Sequence, residues 1–298
     1  MGLLEAHAGL AGKVAVVVGG AGGFIGRGVT LALAKAGVAI ATCDNDEEAL
    51  RTIVPEVEAS GARILSVRAD VTDSEALDTF YDRVAAQFDR LDIVVNVAGG
   101  VKRSLFVDTA REENARDIRL NYGYVIDSVR RAIPLILRGG RGGSIINFTT
   151  IEAHRGAATY AVYAGAKAAT TNFSRALAVE LGADGIRVNL IAPDTTRARA
   201  SNSALYPEDF ERLAALGQDA LNKAFEMYVP LKRAPSVEDV TNGVLFLASD
   251  LSRSITGTTL HIDGGTIAAL GFMDWPYGDS FMPAPLGGSL SRLFPGSR

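Results

Sequence analysis

Short apolar runs alternate with longer amphipathic stretches along most of this chain. The runs Val14–Val18, Val38–Cys43, Ile64–Val67, Ile93–Val95, Ser144–Phe148, Arg187–Ile191 and Thr259–Ile262 read as seven strands. Between them, Ile25–Ala36, Asp46–Ala59, Ser74–Phe88, Ala161–Leu181 and Val237–Ala248 carry apolar residues at helical spacing. Strands that are apolar on both faces and separated by helices predict a parallel sheet covered on both sides. Right-handed crossovers then give a doubly wound α/β fold of three layers. Two segments break the alternation. Residues 195–233 hold polar and aromatic residues at helical spacing without a strand, and residues 266–298 form a Gly-, Pro- and Ser-rich tail containing Trp275, Tyr277, Phe281 and Phe294. There is no internal repeat and no linker. The expectation is one domain over 1–265 and a tail over 266–298, part of which docks through its aromatics.

Composition narrows the class. Of 298 residues, 48% are hydrophobic and 21% charged, as in an ordinary globular enzyme. The formal net charge of −4 gives no bulk attraction to nucleic acid or to an anionic membrane. No apolar run reaches the ~18 residues that span a bilayer, and the start MGLLEAHAGLAGK lacks the basic and apolar regions of a signal peptide. The single cysteine, Cys43, provides neither a disulfide framework nor a metal cluster. A cytoplasmic protein without metal is expected.

The stretch GGAGGFIG at 19–26 lies between the first strand and the first helix, where backbone N–H groups and a helix N-terminus can face a pyrophosphate. The plain alternative is a tight turn. Asp44 ends the second strand, 18 residues after Gly26, where an acid can accept hydrogen bonds from ribose hydroxyls and repel a 2′-phosphate. The expected cofactor is therefore NAD, with helix capping as the rival role of Asp44. Asp70 is placed to bond an adenine amino group, unless it or Thr72 caps a helix.

From Leu10 to Gly265 the motifs occur in a familiar order: the glycine loop, DVTD at 70–73, NVAG at 96–99, Asn121, YAGAK at 163–167, RVNLIAP at 187–193 and a closing stretch at 245–265. The chain resembles the short-chain dehydrogenases/reductases, in the single-domain branch with one Rossmann-like unit. That resemblance implies hydride transfer between NAD and a secondary alcohol or ketone. It implies Tyr163 as acid/base, with Lys167 one helical turn away favouring tyrosinate. Thr150, thirteen residues before Tyr163, stands where the family has a serine that bonds the substrate oxygen. Asn121 matches an asparagine that completes a proton relay from the lysine, and Asn96 a residue that ties the central strand to its neighbours. Ile25, Val71, Ala98, Gly99, Pro193 and Thr195 are expected along the cofactor, together with Gly20, Gly23, Phe24, Gly26, Asp44, Asp70, Asn96, Tyr163 and Lys167.

Several positions depart from the family pattern. The loop matches the spacing of the extended branch through Gly20, Gly23 and Gly26, with Phe24 expected to pack beneath it. Asp194 replaces a usual glycine, and turns either to solvent or to the carboxamide or substrate. Residues 195–233 occupy the place of a substrate lid, in which Leu205, Tyr206, Phe210, Leu213, Leu216, Phe225, Met227 and Tyr228 form a cover or pack the lid's own helices. Lys102, Arg103, Arg155, Arg197 and Arg199 are either solvated or placed for a substrate carboxylate. Tyr160 is expected in the pocket wall and His154 in a loop lining the pocket. The resemblance also implies a homotetramer or homodimer, with the tail near an interface. The rival functions are an NAD-using dehydratase or epimerase of the same fold and a non-catalytic NAD-binding scaffold.

Overall fold

A computed structural model describes residues 7–194, 196, 211, 215, 217–275 and 281–283. Seven parallel strands form one sheet: β1 (Val14–Val18), β2 (Ala39–Asp44), β3 (Ile64–Arg68), β4 (Ile93–Asn96), β5 (Gly143–Phe148), β6 (Ile186–Pro193) and β7 (Thr259–Ile262). Their spatial order is β3-β2-β1-β4-β5-β6-β7. The strand order reverses between β1 and β4, so a crevice opens at their C-terminal ends, the usual ligand position in such sheets.

The sheet's two faces are both buried. One packs on the helices Ser74–Gln87 (α3), Tyr124–Gly139 (α5) and Ala161–Glu180 (α6), and the other on Phe24–Lys35 (α1), Glu47–Ala59 (α2) and Val237–Ala248 (α8). The two cores explain why the strands read as continuous apolar runs. A shorter helix, α4 (Arg111–Ile118), precedes α5, and the two are joined by a π turn over Arg119–Gly123. Helices α4 and α5 are additions to the sequence reading. Burial of Tyr124, Val125, Val129 and Ala132 fixes α5, whereas α4 buries none of its residues and is weakly patterned.

Helix α6 carries small and polar residues on its buried side: Ala166, Thr170, Thr171, Ser174 and Ala178. Their size lets the helix approach the sheet, and their hydroxyls bond inward. Ser174 accepts from Asn147 Nδ2 at 2.9 Å, and Asn147 accepts from Asn96 Nδ2 at 2.8 Å. Ser128 of α5 donates to Asn96 at 2.6 Å. This chain of amides and hydroxyls ties β4 to β5 and both helices.

The lid segment is described only in part. Helix α7 (Gly217–Tyr228) carries Phe225, Met227 and Tyr228, none fully buried. Leu205, Tyr206, Phe210, Leu213 and Leu216 lie outside the described residues, as do Thr195, Arg197 and Arg199. After β7, the short helix α9 (Thr266–Ala269) leads to an antiparallel hairpin of β8 (Phe272–Asp274) and β9 (Phe281–Pro283). Lys232 pairs with Asp274 and stands 4.8 Å from the ring centroid of Phe281, so this part of the tail docks on its own chain. Tyr277 and Phe294 lie outside the described residues. No helix among the described residues is long and apolar enough to cross a membrane.

Candidate active site

The crevice at the C-terminal strand ends is a cleft lined by the glycine loop, Asp44, Asp70, the segment after β4, Thr150, Tyr163, Lys167 and Pro193. The geometry of the loop distinguishes its glycines. A Cβ on Gly26 would sit 2.0 Å from the Gly19 carbonyl oxygen, so α1 could not start so close to β1 with any side chain there. A Cβ on Gly20 would overlap the Thr30, Thr42 and Val17 side chains. A Cβ on Gly23 would meet nothing within 4 Å, and this residue caps α1 and lines the cleft. Two of these glycines are therefore required by the fold, while Gly23 leaves room for a ligand. A cradle of this form at a helix N-terminus fits a dinucleotide pyrophosphate. Gly23→Ala is expected to leave Tm nearly unchanged, since the loss of a preferred N-cap residue is offset by the gain of about 0.4–1 kcal/mol from replacing glycine where the backbone already suits alanine, but to weaken NADH binding about tenfold or more. Gly26→Ala is expected to cost about 1–3 kcal/mol of stability through the backbone overlap. Thermal melts and a fluorescence titration of NADH check both.

Phe24 does not pack beneath the loop. It is 42% exposed at the first position of α1 and lines the cleft. The space below is already filled by Val17, Thr30 and Thr42, and Ile25 takes the inward role. Asn96 and Gly20 also lie below the cleft wall. Asn96 is fully buried in the amide chain described above, so its place is inside the sheet rather than along the cofactor.

Asp44 is 9% exposed at the end of β2. Its Oδ2 accepts from the Ala21 and Gly22 N–H groups at 3.1 and 2.8 Å, and its Oδ1 from Asp46 N–H at 3.2 Å. The carboxylate thus fixes the glycine loop while remaining in the cleft lining. Helix α2 is capped by Asp46, which accepts from Ala49 N–H, not by Asp44. In the same way α3 is capped by Asp73, not by Asp70 or Thr72. Asp70 lines the cleft and accepts from the Thr72 N–H and hydroxyl at 2.9 and 2.7 Å, which lower its carboxyl below the usual range.

The reactive part of the cleft is built by β5 and α6. Thr150 follows β5, and Tyr163 and Lys167 stand one turn apart on α6. Thr150 and Tyr163 both line the cleft, and the Thr150 hydroxyl favours the ionised phenol. Lys167 is buried and donates to the Phe148 carbonyl at 3.0 Å. A Cβ on Gly99 would lie 2.9 Å from Asn121 Oδ1 and 3.2 Å from Lys167 Nζ, so the backbone after β4 passes directly over both side chains. Asn121 sits fully buried in the π turn, a distortion frequent at functional sites. Its Nδ2 donates to the carbonyls of Gly100 and Asp117 at 2.9 and 3.0 Å. Thr149 also borders the cleft, with its hydroxyl donating to the Lys167 carbonyl at 3.1 Å.

The electrostatics differ from the sequence expectation in one respect. Burial raises the Tyr163 phenol, opposed by its bond to Thr150, and Glu152 adds to the rise. Lys167 is not among the groups that lower the phenol, and burial lowers its own ammonium to about 8. Low local dielectric disfavours both charged forms.

Around this core stands a polar wall, of which the sequence reading missed Glu152. Glu152 lines the cleft and accepts the Thr150 hydroxyl on Oε2. Its Oε1 accepts from Arg155 Nη2 at 2.8 Å, and Arg155 Nη1 donates to the Tyr228 hydroxyl at 2.8 Å. Arg155 is thereby engaged within the protein instead of facing a substrate carboxylate. Asp194 lines the cleft and accepts from the Thr266 hydroxyl at 2.8 Å. Tyr160 lies in the cleft wall with Arg103 5.6 Å from its ring centroid. His154 is not in the cleft lining; it meets His261 of β7 edge-on at 5.0 Å. The only prior signal for Glu152 was an acid two positions after the candidate threonine.

Comparisons with known proteins agree with this geometry. Residues 20–266 match a family model described as enoyl-(acyl carrier protein) reductase. An uncharacterized oxidoreductase of Mycobacterium tuberculosis is 32% identical over 253 residues, covering 85% of this chain and 91% of the relative. The 3-oxoacyl-[acyl-carrier-protein] reductase FabG of Staphylococcus epidermidis is 32% identical over 254 residues, covering 85% and 98%. Among solved structures, carveol dehydrogenase from Mycobacterium avium in complex with NAD aligns with a TM-score of 0.79 and 30% identity, over 87% of this chain and 98% of that one. The chain therefore belongs to the short-chain dehydrogenase/reductase family, and is an oxidoreductase that acts on CH–OH groups with a nicotinamide dinucleotide.

Proposed function

We propose that this enzyme interconverts a secondary alcohol and a ketone with NAD, using Tyr163 as the acid/base. The observation that carries the reading is the convergence of Thr150, Tyr163 and Lys167 at the C-terminal end of β5. Bound in the cleft, oxidised NAD supplies a hydride acceptor and a positive ring. Tyr163 takes the alcohol proton as the C–H bond breaks, and returns it in the reverse direction. Thr150 holds the reacting oxygen beside the phenol with its hydroxyl, which can both donate and accept. Lys167 and Asn121 lie under the Gly99 backbone and connect the phenol's surroundings to the polar interior. The substrate is a small to medium alcohol whose apolar or ring body rests against Tyr160 and the lid.

Asp44 supports NAD over NADP, because its carboxylate would face the 2′-position and repel a phosphate there. A hydrogen bond to a charged group corresponds to about 10- to 100-fold in affinity, so NAD should be preferred by at least that factor. Asp44→Ala should lose most of this preference and also weaken NAD binding, since it frees the loop N–H groups. A spectrophotometric panel of secondary alcohols with each dinucleotide tests the reading. A clear preference for NADP would overturn the cofactor assignment, and absence of turnover on every alcohol would overturn the dehydrogenase assignment.

A further inference from the structure

Glu152 takes part in the site in a way that bears on the substrate. A threonine hydroxyl has one proton and two lone pairs. Here the Thr150 proton is given to Glu152 Oε2, and one lone pair accepts the Glu152 N–H at 3.4 Å. Tyr163 stands beside Thr150 in the cleft lining. In this arrangement Thr150 has no proton left for the oxygen of a ketone or for a developing alkoxide. Glu152 cannot easily turn aside, because Arg155 holds its other oxygen and Tyr228 holds Arg155. Its side chain is only 15% exposed, so water is a poor substitute donor.

A substrate can release Thr150 by bringing a donor of its own. Two partners of one hydroxyl stand about 4–5 Å apart, and an oxygen on the carbon next to the reacting one lies about 3 Å from the reacting oxygen, the span of a single hydrogen bond. Such an oxygen bridges the gap between the reacting position and Glu152 Oε2. Building on the dehydrogenase reading above, we propose that the site is built for a vicinal diol, whose second hydroxyl donates to Glu152 and frees the Thr150 proton for the reacting oxygen. The reaction is then oxidation of the diol to an α-hydroxyketone. One carbinol C–H bond breaks with its hydride passing to NAD, the O–H proton of the same carbon passes to Tyr163, and a C=O bond forms. The neighbouring carbon keeps its hydroxyl, and the reverse reaction reduces the hydroxyketone. A substrate carboxylate is disfavoured at the same point, since it would face the Glu152 carboxylate.

The test compares cyclohexanol with cis- and trans-1,2-cyclohexanediol, which differ by one hydroxyl. Calorimetric titration in the presence of NADH, where an alcohol cannot be oxidised, should show one diol binding about 10- to 100-fold more tightly than cyclohexanol, as for a hydrogen bond to a charged group. With NAD, kcat/KM should favour the same diol by at least that factor. In Glu152→Ala the binding preference should fall to within about threefold, and Glu152→Gln, which keeps the shape, should lose most of it; retained NADH binding shows that each variant is folded. Equal affinity for diol and cyclohexanol in the wild type, or a preference that survives Glu152→Ala, would overturn the assignment of Glu152. Turnover of cyclohexanol and diol alike would leave the dehydrogenase reading standing without it. Diol-selective binding without turnover of any alcohol would have the opposite meaning.

Discussion

Tyr163→Phe should lower kcat by about 10²- to 10⁴-fold, the range that a positioned acid/base contributes, while NADH binding stays near the wild-type value. The substitution removes only the phenolic oxygen. The ring keeps its place on α6 opposite Tyr160, whose centroid is 6.1 Å away, so the cleft retains its shape. What is lost is the phenolic oxygen that accepts and returns the proton. The wild-type pH profile carries the same information. Burial raises the Tyr163 phenol, so the free chain disfavours tyrosinate and the oxidised cofactor's positive ring must help to offset this. Alcohol oxidation should therefore rise with pH across the neutral and alkaline range, and NADH-dependent ketone reduction should be favoured at lower pH. In Tyr163→Phe the residual rate should lose this opposed dependence. A variant that keeps its rate and its profile would remove Tyr163 from the mechanism. Stopped-flow transients and steady-state rates from about pH 6 to pH 10 decide the matter.

The fold was legible because both faces of the sheet are covered. The inner strands are buried almost throughout and so demand apolar side chains at nearly every position, while the edge strands β3 and β7 are only partly covered; β1 and β7 begin and end where the apolar runs do, and the other strands differ by a residue or two. The acid/base pair was legible for a different reason: a helix places residues four apart on one face whatever the rest of the fold does. What escaped were properties that depend on side chains meeting from distant segments. Whether Asp44 caps a helix or anchors the glycine loop depends on where Ala21 and Gly22 lie, 23 and 22 residues away. The position of Phe24 depends on Thr30 and Thr42 filling the space beneath Gly20. Arg155 read as an available cation because the partners that occupy it, Glu152 and Tyr228, come from a local turn and from a helix 73 residues further on. The charge states of Tyr163 and Lys167 could not follow from spacing either. Proximity alone suggests mutual stabilisation, but burial is the larger effect on both.

That burial makes Lys167→Met the sharpest separation of stability from activity in this protein. An ammonium lowered from 10.5 to about 8 by desolvation destabilises the fold wherever it is charged. At 1.36 kcal/mol per unit the penalty is on the order of 2–4 kcal/mol, partly answered by the bond to the Phe148 carbonyl. Between about pH 8 and pH 10.5 the unfolded chain holds this proton and the folded chain does not. Wild-type stability should therefore climb across that window and carry the full penalty below it. Methionine has similar length and no charge, so Lys167→Met should be more stable than wild type at pH 7, with the excess disappearing toward pH 10.5. Activity should move the other way, by a loss on the order of 10²- to 10³-fold in kcat, because the ionisable group one helical turn from Tyr163, through which its proton is exchanged, is gone. Denaturant titrations at pH 7 and pH 10 read the first effect, and steady-state rates the second. A Lys167→Met variant less stable than wild type at pH 7 would mean that the hydrogen bond to Phe148 outweighs the desolvation of the ammonium. One with unchanged kcat would mean that Tyr163 exchanges its proton without help from Lys167.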